Sequence, residues 1–154
     1  MALVMKRITR EIQKLEKESL PYGIRVIPGN ENVMVWEAYI TGGKDTPHDG
    51  LEYKLQVNIN SDYPRKPPSI KFLSKIFHPN VYRDGKICID ILQHQWAPTL
   101  RIVSALVSIQ SMLDDPNPNS PANVDAAVAY RKGSEEYKQG ILKAYSLNKN
   151  VENV

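Results

Sequence analysis

The sequence predicts an α+β fold: an N-terminal helix, a four-stranded antiparallel meander sheet, a central helix and two C-terminal helices. Three observations carry this. Apolar residues recur at helical spacing near the start of the chain, the period switches to two between residues 22 and 73, and helical spacing returns after residue 101. Strands and helices segregated along a chain pack as an antiparallel sheet against helices. The 154 residues are the size of one domain, read here as a single unit over 1–154.

Residues 3–18 read as an amphipathic helix, with Met5, Ile8, Ile12 and Leu15 on the apolar face. Lys6, Arg7, Arg10, Glu11, Lys14 and Lys17 solvate the other face, and Pro21 and Gly23 end the helix. Ile24 and Val26 begin the first strand. The stretch 33–40 is rich in strand formers, and Tyr53, Leu55, Val57 and Ile59 alternate on one face of a third strand. Residues 69–73 supply the fourth strand, and Gly29-Asn30 and Gly42-Gly43 mark turns. Residues 74–100 have no sustained period, and so long an irregular segment inside a compact domain is usually functional. Ile102, Ala105, Leu106, Ile109, Met112 and Leu113 trace the apolar face of a central helix. Three prolines between 116 and 121 forbid helix there. A short helix over 123–132 stops at Gly133, and Ser134 caps a last helix to about Leu147.

Composition excludes several classes. With 42% hydrophobic and 24% charged residues the chain is an ordinary globular protein, and its net charge of +3 is too small to argue for direct nucleic-acid or membrane binding. No apolar run reaches the ~18 residues a membrane span needs, and the charged start is not a signal peptide. A single cysteine excludes an internal disulfide and a cysteine-based zinc cluster. It points to a reducing compartment, the nucleus or cytoplasm. No sustained heptad is present, so a monomer is expected.

Candidate chemistry lies in the irregular segment. Cys88 is either a buried structural thiol or a nucleophile, since a thiolate is the strongest nucleophile a side chain offers near neutral pH. Lys86, Asp90 and the Asp84-Gly85 turn give it polar surroundings. His78 is either the base of a Cys–His hydrolase or a residue that holds a local turn, and no third orienting group is evident. His48 and His94 read as isolated and exposed, without zinc-ligand spacing. Asn80, eight positions before Cys88, can donate a hydrogen bond to an oxyanion on a carbonyl attached to sulfur, and Asp90 can orient an incoming amine. Ordinary turn chemistry is the competing reading for both.

Taken together these residues resemble the ubiquitin-conjugating enzymes. His78-Pro79-Asn80, then Cys88, Ile89-Asp90-Ile91-Leu92 and Trp96-Ala97-Pro98 look like the family's core. Tyr63-Pro64 with Pro67-Pro68 matches its proline-rich loop, and Asp115-Pro116-Asn117-Pro118 the loop after its central helix. The resemblance covers about residues 4–147. Residues 32–36, 77–82, 108–111 and 116–123 are most similar to the family's DNA-repair and histone-ubiquitylating branch.

The resemblance implies that Cys88 receives ubiquitin as a thioester from an activating enzyme and passes it to a substrate lysine. It implies that Asn80 supports the oxyanion or the adjacent loop, that Asp90 positions the lysine, and that Ser120 gates the site where many relatives carry an acid. His78 and Pro79 are then structural. Lys6, Arg7 and Arg10 resemble the activating-enzyme surface, and Arg65, Ala97 and Pro98 the ligase patch. Arg65 stands where relatives serving HECT-type ligases usually carry Phe, so a RING-type ligase is implied. No metal or directly bound cofactor is implied, because ATP is used by the upstream activating enzyme. Carriage of another ubiquitin-like modifier and a non-catalytic scaffold binding ubiquitin or ligases remain alternatives. His48 and Leu51 depart from the family's usual aromatic residue and Gly, so the 46–52 turn is expected to differ.

Overall fold

The computed structural model describes the backbone of residues 2–152 and the side chains of residues 3–148. Helix α1 (Ala2–Lys17) leads into strands β1 (Ile24–Ile27), β2 (Val35–Thr41), β3 (Glu52–Asn58) and β4 (Ser69–Phe72). A long connection containing one 3-10 turn (Asp90–Leu92) reaches α2 (Ile102–Asp114), which is followed by α3 (Val124–Lys132) and α4 (Ser134–Glu152). The strands pair antiparallel in the order β1-β2-β3-β4, the meander expected from the sequence.

The register sets the core. Trp36, Ala38 and Ile40 face Val57, Leu55 and Tyr53 across β2 and β3, and all six are fully buried. They pack with Ile102, Ala105, Leu106, Ile109 and Leu113 of α2. This inner face is the period-two pattern of the sequence made physical. The outer face is polar: Arg25 pairs with Glu52 at 3.0 Å and lies 4.2 Å from the Tyr39 ring centroid, and Lys54 pairs with Glu37 at 3.5 Å.

Two details of α1 differ from the sequence reading. Its buried stripe runs through Val4, Ile8 and Glu11, while Met5 is exposed. Glu11 belongs to the interior because three donors meet its carboxylate. Arg7 Nε (3.0 Å), the Ile102 backbone N–H (2.9 Å) and the Tyr63 hydroxyl all bond to it. Ile102 opens α2, so the carboxylate satisfies a helix N-terminal N–H that has no intrahelical partner. A buried charge survives only when it is paired and hydrogen-bonded, and Glu11 is both. Burial, with the Glu11 contact second, pushes the Tyr63 hydroxyl well above the usual phenol range, so it stays protonated and donates. Tyr63→Phe removes that donor, and the expected cost is about 1–3 kcal/mol in a urea titration.

The 42–51 connection also differs. His48 is not exposed. It is fully buried, with Nδ1 2.8 Å from the Tyr53 hydroxyl and Nε2 3.3 Å from the Tyr137 hydroxyl of α4. His94 is exposed, as read. Leu51 is half-buried against the core, and the neighbouring Gly50 takes the positive φ (74°) that the turn requires. At the other end of the chain, Ser134 is the first helical residue of α4 and does not cap it, and α4 runs past Leu147 to Glu152.

Candidate active site

The site is built on a hairpin-like loop. Val81 bridges Ile87, and the Tyr82 N–H bonds the Lys86 carbonyl at 2.9 Å. Gly85 turns the chain with φ 92°, and its carbonyl takes the Phe72 N–H at 2.8 Å. A Cβ at Gly85 would stand 2.0 Å from the Phe72 carbonyl oxygen, so only glycine allows this loop to lie against β4. One residue beyond the bridge, the Cys88 N–H donates to the Asn80 carbonyl at 2.9 Å. The loop thereby brings Asn80 and Cys88 together, and Cys88 is half-buried.

His78 stands behind this pair and does not face the thiol. Its Nδ1 accepts the Asn80 N–H at 3.0 Å, so the ring proton sits on Nε2 and is donated to the Met112 carbonyl at 2.8 Å. Burial, only partly opposed by the carbonyls of Met112 and Leu113, pushes its pKa down to about 4. With both nitrogens engaged, the ring cannot accept a proton from Cys88, and the Cys–His hydrolase reading fails on geometry.

Asn80 is 3% exposed, and its side chain works on a second loop. Its Nδ2 donates to the Asn117 carbonyl at 2.7 Å, and its Oδ1 accepts the Asn117 N–H at 2.9 Å. Further along the same loop, the Ala122 and Asn123 N–H groups both reach the Pro79 carbonyl, at 2.8 and 3.0 Å. Arg131 of α3 donates to the Pro118 carbonyl at 3.0 Å. The loop is thus tied down on both sides of Asn119, Ser120 and Pro121, which form its exposed tip. Asp90 is exposed at the start of the 3-10 turn. Among the described residues, no three His, Cys, Asp or Glu side chains converge to hold a metal.

The two surfaces expected to meet partners are joined. Lys6 and Arg10 are exposed on α1, but Arg7 turns inward. Its guanidinium donates to the carbonyls of Pro98 (2.8 Å) and Leu100 (2.6 Å). Trp96 Nε1 donates to the Pro64 carbonyl at 2.8 Å, which binds the proline-rich loop to the Ala97-Pro98 segment. Arg65 projects from that loop, largely exposed and paired with Asp62 at 2.9 Å. Sequence reasoning missed Arg7 and Glu11 as a scaffold, although the spacing of Val4, Ile8, Glu11 and Leu15 places the acid on the buried stripe.

The structure is thus a small α+β domain that displays its one cysteine, half-buried, on a loop bonded to a buried asparagine. Residues 7–145 match the family model described as ubiquitin-conjugating enzyme. The chain belongs to that family. It is 46% identical over 136 residues to "Ubiquitin-conjugating enzyme E2 1" of Caenorhabditis elegans, covering 88% of this chain and 70% of the relative. It is 49% identical over 132 residues to "Ubiquitin-conjugating enzyme E2 2" of Mycosarcoma maydis, covering 86% of this chain and 71% of the relative. The four helices and the four-stranded antiparallel sheet are the fold of this family. Its enzymes pass ubiquitin through a cysteine thioester and work with an activating enzyme and a ligase.

Proposed function

We propose that Cys88 carries ubiquitin and delivers it to a substrate lysine with a RING-type ligase. The observation that supports this best is the half-buried Cys88 on a loop pinned to Asn80. In the first step the Cys88 thiolate attacks the carbonyl of the activating-enzyme thioester and expels that enzyme's thiolate. Thiol-for-thiol exchange is nearly balanced in energy and depends on access to sulfur. ATP is spent upstream, at the activating enzyme. In the second step a neutral lysine amine attacks, an amide forms, and the Cys88 sulfur leaves. A free lysine has a pKa of ~10.4, so the site must favour its neutral form. Exposed Asp90 positions the amine, and Ser120 at the loop tip borders its path.

Asn80 serves the second step in two ways. Its bonds to Asn117 hold the gate loop, and its remaining Nδ2 proton is available to the oxyanion. Asn80→Ala removes both, so discharge of preformed thioester to free lysine is expected to fall about 10²-fold. Single-turnover discharge with quantified thioester measures this. A rate within threefold of wild type removes Asn80 from the mechanism.

Lys6 and Arg10 present exposed cations on the activating-enzyme surface, and Arg7 shapes that surface from within. Arg65, Ala97 and Pro98 form the ligase patch. Substrates of the DNA-repair and histone class, met in the nucleus and cytoplasm, fit the resemblance to that branch. The test is incubation with activating enzyme, ATP and ubiquitin, followed by mass spectrometry without reductant. The expected product is the protein plus ubiquitin less one water, cleaved by added thiol and located on the peptide containing Cys88. An adduct formed only with another ubiquitin-like modifier would reassign the cargo, and none with any modifier would leave the scaffold reading.

A further inference from the structure

One surface lies outside everything assigned above. Leu73, Tyr82 and Leu147 are 45%, 48% and 50% exposed, and they converge on a cleft of about 430 Å³ between the end of β4, the 82–85 turn and α4. Large apolar side chains gathered around one hollow mark a contact surface more often than chance exposure does. Its walls are fixed. The Lys75 N–H and carbonyl are both held by the Asn148 side chain, at 2.7 and 3.1 Å, and the opposite wall is the Gly85 turn tied to Phe72. A preformed hollow spares an incoming chain the cost of ordering it.

The cleft shares a wall with a second hollow. Tyr82, Arg83 and Asn123 line both, and the second, of about 370 Å³, ends at Val124 and Asp125. The Asn123 N–H is one of the two on the Pro79 carbonyl, and Asn80 follows Pro79 and holds Cys88. A chain lying in this trough therefore meets the segment tied to Pro79, the residue before Asn80.

The charges select the occupant. Among the described residues Lys75 and Arg83 have no carboxylate within 4.0 Å, while Asp84, the acid of the cleft, is already paired with Lys86 at 3.7 Å. The sign reverses at the other end, where Asp125 is exposed. We propose that this trough receives an extended substrate segment whose leucine or aromatic side chains fill the cleft and whose acidic residues meet Lys75 and Arg83, with the target lysine beyond the Asp125 end. This rests on the conjugating reading above.

The test uses two peptides of twelve residues with a single lysine. One carries three glutamates and two leucines on one side of that lysine, and its sibling carries serine at those five positions. Ubiquitin transfer from the charged protein to the first peptide is expected to exceed transfer to the sibling at least tenfold at equal concentration. Lys75→Glu combined with Arg83→Glu is expected to cut that ratio below twofold while discharge to free lysine is unchanged. Leu147→Ser is expected to lower it by a smaller factor. Equal transfer to both peptides by the wild type overturns the proposal, as does a ratio that survives the double charge reversal. Failure to form any thioester overturns the conjugating reading instead. Resonance shifts at Leu73, Tyr82 and Leu147 produced by free ubiquitin, with none from the acidic peptide, would assign the trough to ubiquitin and overturn the substrate proposal.

Discussion

Cys88→Ala will form no thiol-labile adduct with ubiquitin, under conditions in which the wild type is charged to completion. The expectation is a complete loss because no other sulfur nucleophile exists: Cys88 is the one cysteine in 154 residues. The effect will be chemical and not structural. The side chain is half-exposed, and removing one sulfur from such a position changes stability by about 0.5 kcal/mol or less. The thermal midpoint should therefore stay within a few degrees of wild type. Cys88→Ser separates two requirements. It keeps the geometry but replaces the sulfur nucleophile with a hydroxyl, a far weaker one. Charging should slow by orders of magnitude, and any adduct that accumulates will be an ester, stable to added thiol and cleaved by hydroxylamine. Charging of Cys88→Ala to a thiol-labile product would mean that the sulfur is not the carrier, and the assignments of Asn80, Asp90 and Ser120 would lose their common centre.

The site was legible in the sequence to the extent that its chemistry is local. The turn at Asp84-Gly85 and the spacing of Asn80 and Cys88 follow from short-range geometry, and Gly85 is required where a side chain would strike the Phe72 carbonyl. The same holds for the meander, whose alternation of buried residues on β3 is the alternation of the sequence itself. What stayed hidden depends on partners far along the chain. The Asn80 carboxamide bonds residue 117, 37 positions away, and His48 bonds Tyr137, 89 positions away. Nothing near His48 in the sequence signals burial, since Pro47 and Asp49-Gly50 read as a surface turn. Glu11 is different. Its burial depends on Tyr63 and Ile102, but its place on the Val4–Ile8–Leu15 stripe was visible, and the expectation that acids face water overrode the periodicity. Arg7 follows from Glu11: once the acid is inside, its i,i+4 partner bends inward with it and reaches the Pro98 and Leu100 carbonyls.

Two buried histidines make the fold acid-sensitive, and the expected effect is large. His48 and His78 are fully buried, with ring centroids 5.9 Å apart. Burial is the main reason that His48 is pushed down to about 3, with the neighbouring His78 second, and burial pushes His78 to about 4 against the opposing Met112 and Leu113 carbonyls. The hydrogen bonds agree with neutral rings, because His78 Nδ1 must accept the Asn80 N–H. In the unfolded chain both rings titrate near 6.5. Above that pH neither state binds these protons and stability is flat. As pH falls from about 6.5 toward 4, the unfolded chain takes up two protons that the folded protein refuses, so stability falls with pH. The loss between pH 7 and pH 5 is roughly 3–4 kcal/mol, a large share of the ~5–15 kcal/mol that holds a domain together. Glu18, held low chiefly by its Arg101 hydrogen bond, adds little in this window because it is ionised in both states above its ordinary value of 4.5. His48→Phe provides the control. It leaves the Tyr53 and Tyr137 hydroxyls without their partner and so is destabilising at pH 7, but it removes one of the two protons. Its loss between pH 7 and pH 5, from urea titrations at both pH values, should be about half that of the wild type. Equal urea stabilities of the wild type at pH 7 and pH 5 would show that the buried rings accept protons in the folded state, and the neutral pair beneath Asn80 would have to be abandoned.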